Sequence, residues 1–226
     1  MRPLSHAAMI LSFDVTPDAR AEHDHWHTHE HLIERLSIPG FLRGSRWVSA
    51  SREAGYLVIY EVSDIAVLKS APYLERLNDP TPWTAKMMPH YRNMRRGFCA
   101  LEFSAGHGMG SSAHVARFSP RAGAEASLNQ WLVREALPGL SAEPGLAAAS
   151  LFRSALTPDI TAEQRIRGQD AGLDQVVIVS GYDPQRTLHV AANVLSSARF
   201  DEHGACDHTA EPFTLAYSLT AEDLRG

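Results

Sequence analysis

Two segments of the chain, separated by 105 residues, share a Trp and a Pro-Gly pair. Pro39-Gly40 returns as Pro144-Gly145, and the same offset takes Trp26 to Trp131 without a gap. Each Trp lies thirteen residues before its Pro, inside a predicted helix. Together with a repeated order of predicted elements, these matches indicate that one unit of about 105 residues occurs twice in the chain.

The first copy predicts strands and helices in the order βαββαβ. Alternating apolar residues indicate the strands, and Thr16-Pro17-Asp18 supplies the cap, the proline and the early carboxylate that are typical of a helix start. A further short helical segment ends near His90. The predicted strands are 7–15, 41–51, 56–62 and 93–104, and the predicted helices are 17–37 and 65–77.

The second copy repeats this order after a Gly/Ser-rich linker at 106–112. It carries one extra feature, a polar insertion at 157–173 that precedes its third strand. We therefore expect a first repeat at 1–105, which holds the candidate active site, and a second, degenerate repeat at 113–226. The predicted elements of the second copy are strands at 114–119, 146–155, 175–182 and 212–219, and helices at 122–137 and 185–198.

A βαββαβ unit forms a four-stranded antiparallel sheet with both helices on one face. The other face of the sheet stays apolar and has to be buried. Two such units in one chain can bury these faces against each other and keep their helices outside. The sequence therefore predicts an α+β fold, in which two tandem ferredoxin-like βαββαβ units form an intramolecular α+β barrel.

Composition disfavours several classes of function. The net charge of −5 argues against a nucleic-acid binder, and we interpret Arg92–Arg96, the densest basic stretch, as the solvated start of a strand. Cys99 and Cys206 are the only cysteines and form no C-x-x-C pattern, which disfavours a disulfide framework and a zinc-thiolate site. The apolar run 7–11 is too short for a signal peptide, and no apolar stretch of roughly 18 residues occurs. We expect a cytoplasmic protein.

Five of the twelve histidines fall within residues 23–31, on the first predicted helix. His27 and His31 are i,i+4 neighbours, and so are His25 and His29. Three interpretations stay open. Such a pair can bind zinc, although no H-E-x-x-H motif is present. An imidazole titrates near neutral pH, so the histidines can act as general acids or bases. They can also form a polar helix surface.

A regular helix predicts which of these histidines face the core. Three apolar residues define its predicted core side: Leu32, Ile33 and Leu36. Counting back by turns of 3.6 residues places His25, Trp26 and His29 nearest the core. The same count places His27 and His31 on the flank of the helix.

Residues 26–32 (WHTHEHL), followed by Arg35-Leu36 and Pro39-Gly40-Phe41, resemble the first-helix signature of EthD-like proteins in the dimeric α+β barrel superfamily. Tyr60-Glu61-Val62 and residues 78–83 also look like bacterial members of that group. The resemblance covers most of residues 7–104. In the second copy Ala136 stands where His31 would be, so this copy has lost that histidine.

The resemblance implies an aromatic-lined pocket between the sheet and its helices, in which a histidine moves a proton. Superfamily members include cofactor-independent monooxygenases, polyketide cyclases, lactone isomerases and haem enzymes. Carried onto this chain, the resemblance makes His31 the candidate catalytic residue, with His27 as its neighbour. The candidate substrate-binding residues are Trp26, Arg46, Trp47, Tyr60, Trp83 and His90.

The sequence favours a cofactor-independent enzyme that acts on a small aromatic or polyketide-like substrate by His-mediated proton transfer, of lyase, isomerase or cyclase type. We expect a small-molecule partner and no metal, and a homodimer stays open. The sequence contains no G-x-G-x-x-G loop that would indicate nucleotide binding.

One alternative is a haem- or metal-binding barrel of oxygenase or peroxidase type, using His189, His203 or His208 of the second copy. The other is a non-catalytic small-ligand-binding module. The insertion at 157–173 is a candidate lid or oligomer contact.

Overall fold

The structure is a computed structural model that describes residues 1–168 and 170–225. It contains two compact units, each with its own hydrophobic core. Most of the insertion encoded by the second repeat folds as part of the first unit. The first unit comprises Leu4–Ala100, Ala155–Gly172 and Ala216–Gly226, and the second comprises Met1–Pro3, Leu101–Ser154 and Leu173–Leu215.

The first unit has a four-stranded antiparallel sheet with helices in its connections. Its elements are β1 Ala7–Val15, α1 Arg20–Trp26, α2 Leu32–Leu36, β2 Phe41–Ser49, β3 Gly55–Val62, α3 Ala71–Asn78, α4 Pro82–Met87 and β4 Tyr91–Gly106. Strand β1 pairs with β3 and β4, and β2 pairs with β3, so the order across the sheet is β4-β1-β3-β2. Strand β4 continues past Ala100 into the residues of the second unit.

The second unit repeats this arrangement. Its elements are β5 Ser112–Pro120, α5 Glu125–Trp131, β6 Leu146–Leu156, β8 Gln175–Gly181, α7 Pro184–Val194, α8 Ser197–Glu202 and β9 Ala205–Thr220. The order β9-β5-β8-β6 matches that of the first unit strand for strand. Between β6 and β8, the insertion forms α6 Ala162–Arg167 and a short strand β7 Ala171–Gly172, which belong to the first unit, where β7 pairs in parallel with β4. The predicted fold class, α+β with two tandem ferredoxin-like βαββαβ units, is confirmed.

The helix predicted at 17–37 is interrupted by a wider, π-helical turn. This turn, His27–His31, joins α1 to α2. A second π-helical turn, Leu132–Ala136, follows α5. In both, the first backbone N–H after the turn donates to the carbonyl five residues earlier, with an N···O distance of 3.0 Å in the second unit. The two turns lie 105 residues apart, so the repeat extends to this uncommon backbone feature.

The predicted core side of the first helix is correct for Trp26, Leu32 and Leu36, which are buried, but the π-helical turn makes it wrong for the histidines. His23, His27 and His31 are buried, at 0%, 1% and 8% exposure. Three residues that were expected on the core side are exposed: His25, His29 and Ile33. A hydrogen bond that spans five residues adds one residue to the turn and rotates the face that packs on the sheet. Residues four apart therefore stay aligned along the buried side.

Other predicted helices also differ in their boundaries. The helix predicted at 65–77 is a 3-10 turn, Ile65–Lys69, followed by α3. The two are separate because Ser70 has an extended backbone (ψ 151°). The helix predicted at 185–198 is likewise divided into α7 and α8. Within the described residues, no helix combines the length and apolar character needed to cross a membrane.

Gly44 on β2 lets the helix of the first unit approach the sheet closely. A Cβ atom at this position would lie 2.3 Å from Cδ2 of Leu32 and 3.3 Å from the ring of Tyr60. Both neighbours are buried, at 0% and 2% exposure, and have little space into which to move. A side chain here would therefore push the π-helical turn away from the sheet.

Replacing Gly44 with Ala should therefore destabilise the protein. We expect the free energy of unfolding to fall by about 1–3 kcal/mol, because an added methyl group overpacks this interface. Urea unfolding followed by far-UV circular dichroism measures the change. Gly139→Ala is the matched control, since a Cβ there has no atom within 4 Å. Equal stability of Gly44→Ala and the native protein would contradict the close approach.

Candidate active site

A small cavity lies in the first unit, and buried side chains line it. Its volume is about 30 Å³, enough for one or two water molecules. Methionine and other apolar side chains form part of the wall, including Met9, Met88 and Met94. The polar part of the wall consists of His27, His31, Arg35, Tyr60, Tyr73, Tyr91, Arg96, Glu163 and Arg167. The predicted pair His31 and His27 and the predicted binding residue Tyr60 thus meet at one site.

Three histidines form a column along the buried side of the helix. The ring centroids of His23 and His27 are 5.5 Å apart, and those of His27 and His31 are also 5.5 Å apart. Nε2 of His27 lies 3.4 Å from the hydroxyl of Tyr60. Nε2 of His23 lies 3.2 Å from the hydroxyl of Tyr91. The column therefore brings imidazole and phenol groups together at the cavity.

The Nδ1 atoms of His27 and His31 are buried and have no hydrogen-bond partner among the described residues. A buried polar atom without a partner is costly, by about 1–3 kcal/mol. Buried polar groups are normally satisfied by the protein or by ordered water. Two such atoms beside one cavity indicate that its contents, water or a ligand, are their partners.

Both histidines are neutral at pH 7. Burial holds the pKa of His27 well below its usual value of 6.5, and the charges of His23 and Arg46 lower it further. Burial also holds the pKa of His31 well below this value, with the nearby Arg35 as the second cause. A neutral imidazole has one unprotonated nitrogen, so each ring can accept a proton from a bound molecule.

The phenols at the cavity stay protonated. Burial raises the pKa of Tyr60 and of Tyr73, and it raises that of Tyr91 well above the usual value of 10. A protonated phenol donates a hydrogen bond, and the hydroxyl of Tyr73 already donates to Sδ of Met9 at 3.2 Å. The site therefore combines proton acceptors on the helix with hydrogen-bond donors on the sheet and on α3.

Buried charges occupy the side of the cavity next to α6. The guanidinium of Arg35 donates to the carboxylate of Glu163, and both side chains are at most 4% exposed. Asp170 pairs with two arginines: its Oδ2 lies 3.0 Å from Nε of Arg96 and 2.6 Å from Nη2 of Arg167. Three arginines face two carboxylates in this group, which leaves one net positive charge. Such an excess favours an anion in or beside the cavity.

Trp26 supports His31 from outside the described cavity wall. The two ring centroids are 4.4 Å apart. The indole Nε1 donates to Oε1 of Glu30 at 3.1 Å, and the same oxygen accepts from Oγ1 of Thr81 at 2.6 Å. These hydrogen bonds fix the indole, and the indole in turn limits how the imidazole can rotate. The structure therefore gives Trp26 a positioning contact to His31.

Four other predicted binding residues lie outside the described wall of this cavity: Arg46, Trp47, Trp83 and His90. The first two are buried, and Nε1 of Trp47 donates to Ser45 within its own strand. Nη1 of Arg46 donates to the carbonyl of Asp24 at 3.0 Å. Nε1 of Trp83 donates to Glu22, and His90 lies 2.8 Å from the hydroxyl of Thr16. Their role in binding stays a prediction.

The sequence analysis missed five polar residues of the wall: Arg35, Tyr73, Tyr91, Glu163 and Arg167. It was also wrong about Arg96, which is 4% exposed although Arg92 and Arg95 of the same stretch are exposed. Glu163 and Arg167 were missed because the insertion reaches this cavity only through tertiary packing, which the sequence does not reveal. The arginine on the helix, however, left a signal in the sequence, because Arg35 continues the four-residue spacing of the buried histidines.

The repeat offset reveals that signal. His23, His27, His31 and Arg35 correspond to four residues of the second copy: Leu128, Leu132, Ala136 and Leu140. All four counterparts are buried, at 0–5% exposure. The same π-helical turn therefore carries a polar column in one copy and an apolar column in the other. Because the second copy folds without the polar column, the fold does not require it.

The histidines proposed for a haem site do not fit that role. His189 is exposed on α7, His203 stacks on Trp131 at 4.3 Å, and His208 stacks on Phe200 at 4.4 Å. None of them belongs to the described wall of the histidine cavity. Within residues 1–168 and 170–225, no group of three or more His, Cys, Asp or Glu residues could hold a metal ion.

No family model and no curated protein matches the chain. Solved structures do resemble it over almost its whole length. An anthrone oxidase-like protein has a TM-score of 0.69 at 11% identity, over 96% of this chain and 94% of the other. A candidate monooxygenase from Fusobacterium nucleatum has a TM-score of 0.64 at 7% identity, over 96% and 95%. A haem-binding protein from Thermus thermophilus has a TM-score of 0.52 at 12% identity, over 97% and 94%.

These likenesses confirm the α+β barrel fold that the sequence predicts. The identities are too low to transfer an activity, since one fold hosts many functions. The EthD-like assignment therefore stays a prediction. By their names, two of these neighbours are oxidase-like or monooxygenase-like and one binds haem.

The buried histidines should make the protein sensitive to acid. Above pH 6.5 they are neutral in both the folded and the unfolded states, and their effect on stability is constant. Below this value the unfolded chain binds protons that the folded chain cannot, so stability is lost as the pH falls. Each histidine contributes up to about 1.4 kcal/mol per pH unit to this loss. The double variant His27→Leu/His31→Ala, which copies the second repeat, should therefore flatten the loss.

Urea unfolding at several values between about pH 7.5 and 5.5 measures this slope. Replacement of the exposed His25 with Ala serves as the control and should keep the native slope. If the double variant lost stability as steeply as the native protein, the two rings would not be held neutral by the fold.

Proposed function

We propose that the protein is a cofactor-independent enzyme that removes a proton from a small aromatic or polyketide-like substrate, with His31 as the base. The observation that carries this proposal is the neutral, buried His31, whose Nδ1 lacks a partner beside a cavity with excess positive charge. A base needs an unprotonated nitrogen, and the anion that it generates needs positive charge and hydrogen-bond donors nearby. The wall of this cavity supplies both.

The proton comes from a C–H or O–H group next to a carbonyl or on a phenol. His31 accepts it, and the electron pair of the broken bond moves to the substrate oxygen as an enolate or phenolate. Arg35 and the protonated Tyr60 stabilise that oxygen. Return of the proton to a different atom completes an isomerisation. Attack of the carbanion on a second carbonyl completes a cyclisation, and expulsion of a leaving group completes a lyase reaction.

His27 serves as the second proton-transfer group. It lies between His23 and His31 in the column and is 3.4 Å from the hydroxyl of Tyr60. The proton that His31 removes can pass to His27 through water in the cavity. The hydroxyl of Tyr60 can then donate its own proton to the substrate oxygen and recover one from His27. His27 and Tyr60 therefore allow the proton to be returned at a different place from where it was taken.

A second candidate is a cofactor-independent oxygenase, and the anthrone oxidase-like and monooxygenase-like structural neighbours favour it. The first step is the same deprotonation by His31. The carbanion then donates its electron pair to dioxygen, which forms a C–O bond and a peroxide. Protonation of the peroxide and loss of water convert the original CH2 group to a carbonyl. The reaction consumes one dioxygen and releases one water, so it needs no other oxidant.

Replacing His31 with Ala tests the proposal. We expect turnover of a responsive substrate from a panel of phenols and ketones to fall by about 10²–10⁴-fold, which is the usual contribution of a general base. Folding should be preserved, because Ala136 occupies the corresponding position in the second copy. The matched control is His29→Ala, an exposed residue of the same turn. Unchanged turnover in His31→Ala would show that His31 is not the base.

An oxygen electrode distinguishes the two candidate reactions with the same substrates. Proton transfer alone consumes no dioxygen, whereas the oxygenase consumes one equivalent for each product formed. Loss of dioxygen uptake in His31→Ala is the expected result for the second candidate.

A further inference from the structure

We propose that residues 157–168 and 170–172 form a lid, and that an aromatic carboxylate or similar organic anion replaces the carboxylates of this lid on Arg35 and Arg96. The proposal deepens the proposed function, since it assigns the charge class of the substrate for the same cavity. These residues are called the lid segment below. Its helix is α6, and its carboxylates at the cavity are Glu163 and Asp170.

A second, larger opening adjoins the histidine cavity. Its volume is about 610 Å³, within the roughly 300–1,000 Å³ typical of small-molecule sites. The lid segment supplies nearly all of its described wall, including Pro158, Ile160 and Gln164. Arg96 belongs to the walls of both this cleft and the histidine cavity. A molecule that is too large for about 30 Å³ can therefore reach the histidines if the groups around Arg96 move apart.

Ion pairs and a short parallel strand pairing, of Ala171 and Gly172 with β4, hold the lid segment on the unit. Glu163 binds Arg35 on the helix side of the cavity, and Asp170 binds Arg96 on β4. Gln164 adds a hydrogen bond, because its Oε1 accepts from Nη2 of Arg96 at 3.0 Å. All four charged side chains are at most 6% exposed. Buried ion pairs of this kind give little net stability, because desolvation offsets most of the attraction.

Apolar packing contributes less to this attachment than it does elsewhere in the unit. Ile160 is 71% exposed and Ile166 is 40% exposed, so two of the largest apolar side chains of the lid segment face solvent. Displacing the segment would thus expose little additional apolar surface at these positions. Opening breaks the ion pairs of Glu163 and Asp170 and the strand pairing at Ala171 and Gly172, and a ligand that replaces the carboxylates offsets part of that cost.

The charges at the cavity determine which molecule can replace Glu163 and Asp170. When the lid segment lifts, Arg35 and Arg96 lose their carboxylate partners and leave two positive charges beside the neutral histidines. A carboxylate accepts two hydrogen bonds from one guanidinium, so a ligand with one carboxylate restores one of the two lost pairs and neutralises half of the uncovered charge. A neutral ligand would leave both charges unpaired, which is costly in a buried site. The site therefore selects an organic anion over its uncharged analogue.

The two copies differ at the matching connection. Strands β2 and β3 of the first copy are joined by residues 50–54, whereas β6 and β8 of the second are joined by residues 157–174. The additional residues belong to the compact unit that contains the histidine cavity. The second copy therefore contributes the lid, and the first contributes the groups beneath it.

Isothermal titration calorimetry with 2-hydroxybenzoate, and with the neutral 2-hydroxybenzamide as its matched analogue, tests the proposal without requiring turnover. We expect the native protein to bind the carboxylate and to bind the amide at least about tenfold more weakly, since the amide cannot replace a buried carboxylate. Glu163→Gln should bind the carboxylate at least about fivefold more tightly, because the competing charge is gone. Arg96→Gln should bind it at least about tenfold more weakly.

Asp159→Asn is the control, because this carboxylate also belongs to the lid segment but pairs with Lys69 at the surface, at 3.6 Å. It should keep the native affinity. Limited trypsin digestion gives a second readout that needs no ligand. Cleavage after the exposed Arg165 should be faster in Glu163→Gln than in Asp159→Asn, because the lid segment opens more often.

Equal affinity for the carboxylate and the amide, no binding of either, or equal affinities of the native protein and Glu163→Gln would each overturn the proposal. The result is independent of the base assigned above. His31→Ala should still bind 2-hydroxybenzoate, because the arginines that hold it are unchanged. Binding without turnover in every variant would contradict the proposed enzyme and leave the anion site established.

Discussion

The π-helical turn at His27–His31 determines which side chains of the first helix reach the sheet. Its hydrogen bond spans five residues, so side chains four apart stay in line along the buried face. This alignment places three imidazoles and Arg35 in one column. A regular helix would have turned other residues of the same segment inward. The cavity, its neutral bases and its arginine all depend on this single irregularity.

The second copy shows that this arrangement is separable from folding. It retains the π-helical turn and the buried Trp131 but has leucine or alanine at each position of the column. An apolar side chain at such a position avoids the cost of a buried, unpartnered nitrogen, about 1–3 kcal/mol for each group. The first copy has two such nitrogens, at His27 and His31, and their partners have to come from the contents of the cavity. When two otherwise matching elements differ in this way, with polar residues in one and apolar residues in the other, the less stable polar residues usually mark a functional site.

The sequence predicted the repeat, the order of the elements and the segment that holds the histidines, because these are recorded in local spacing and in the offset between copies. It could not predict which histidines face the sheet, since a π-helical turn changes the period on which that count depends, although Trp26, Leu32 and Leu36 are buried as the count expects. It also missed Arg96, because a basic residue in a charged stretch gives no sign of the Asp170 that buries it. The position of Glu163 follows from tertiary packing of an insertion that lies more than a hundred residues from Arg35.

The structure of the protein bound to 2-hydroxybenzoate tests the central claim, that the polar column of the first unit is the binding and proton-transfer site. The account predicts ligand density beside His31, with its carboxylate on Arg35 and with Glu163 withdrawn from that guanidinium. Density at another place, with the Arg35–Glu163 pair intact and the cavity unchanged, would contradict it.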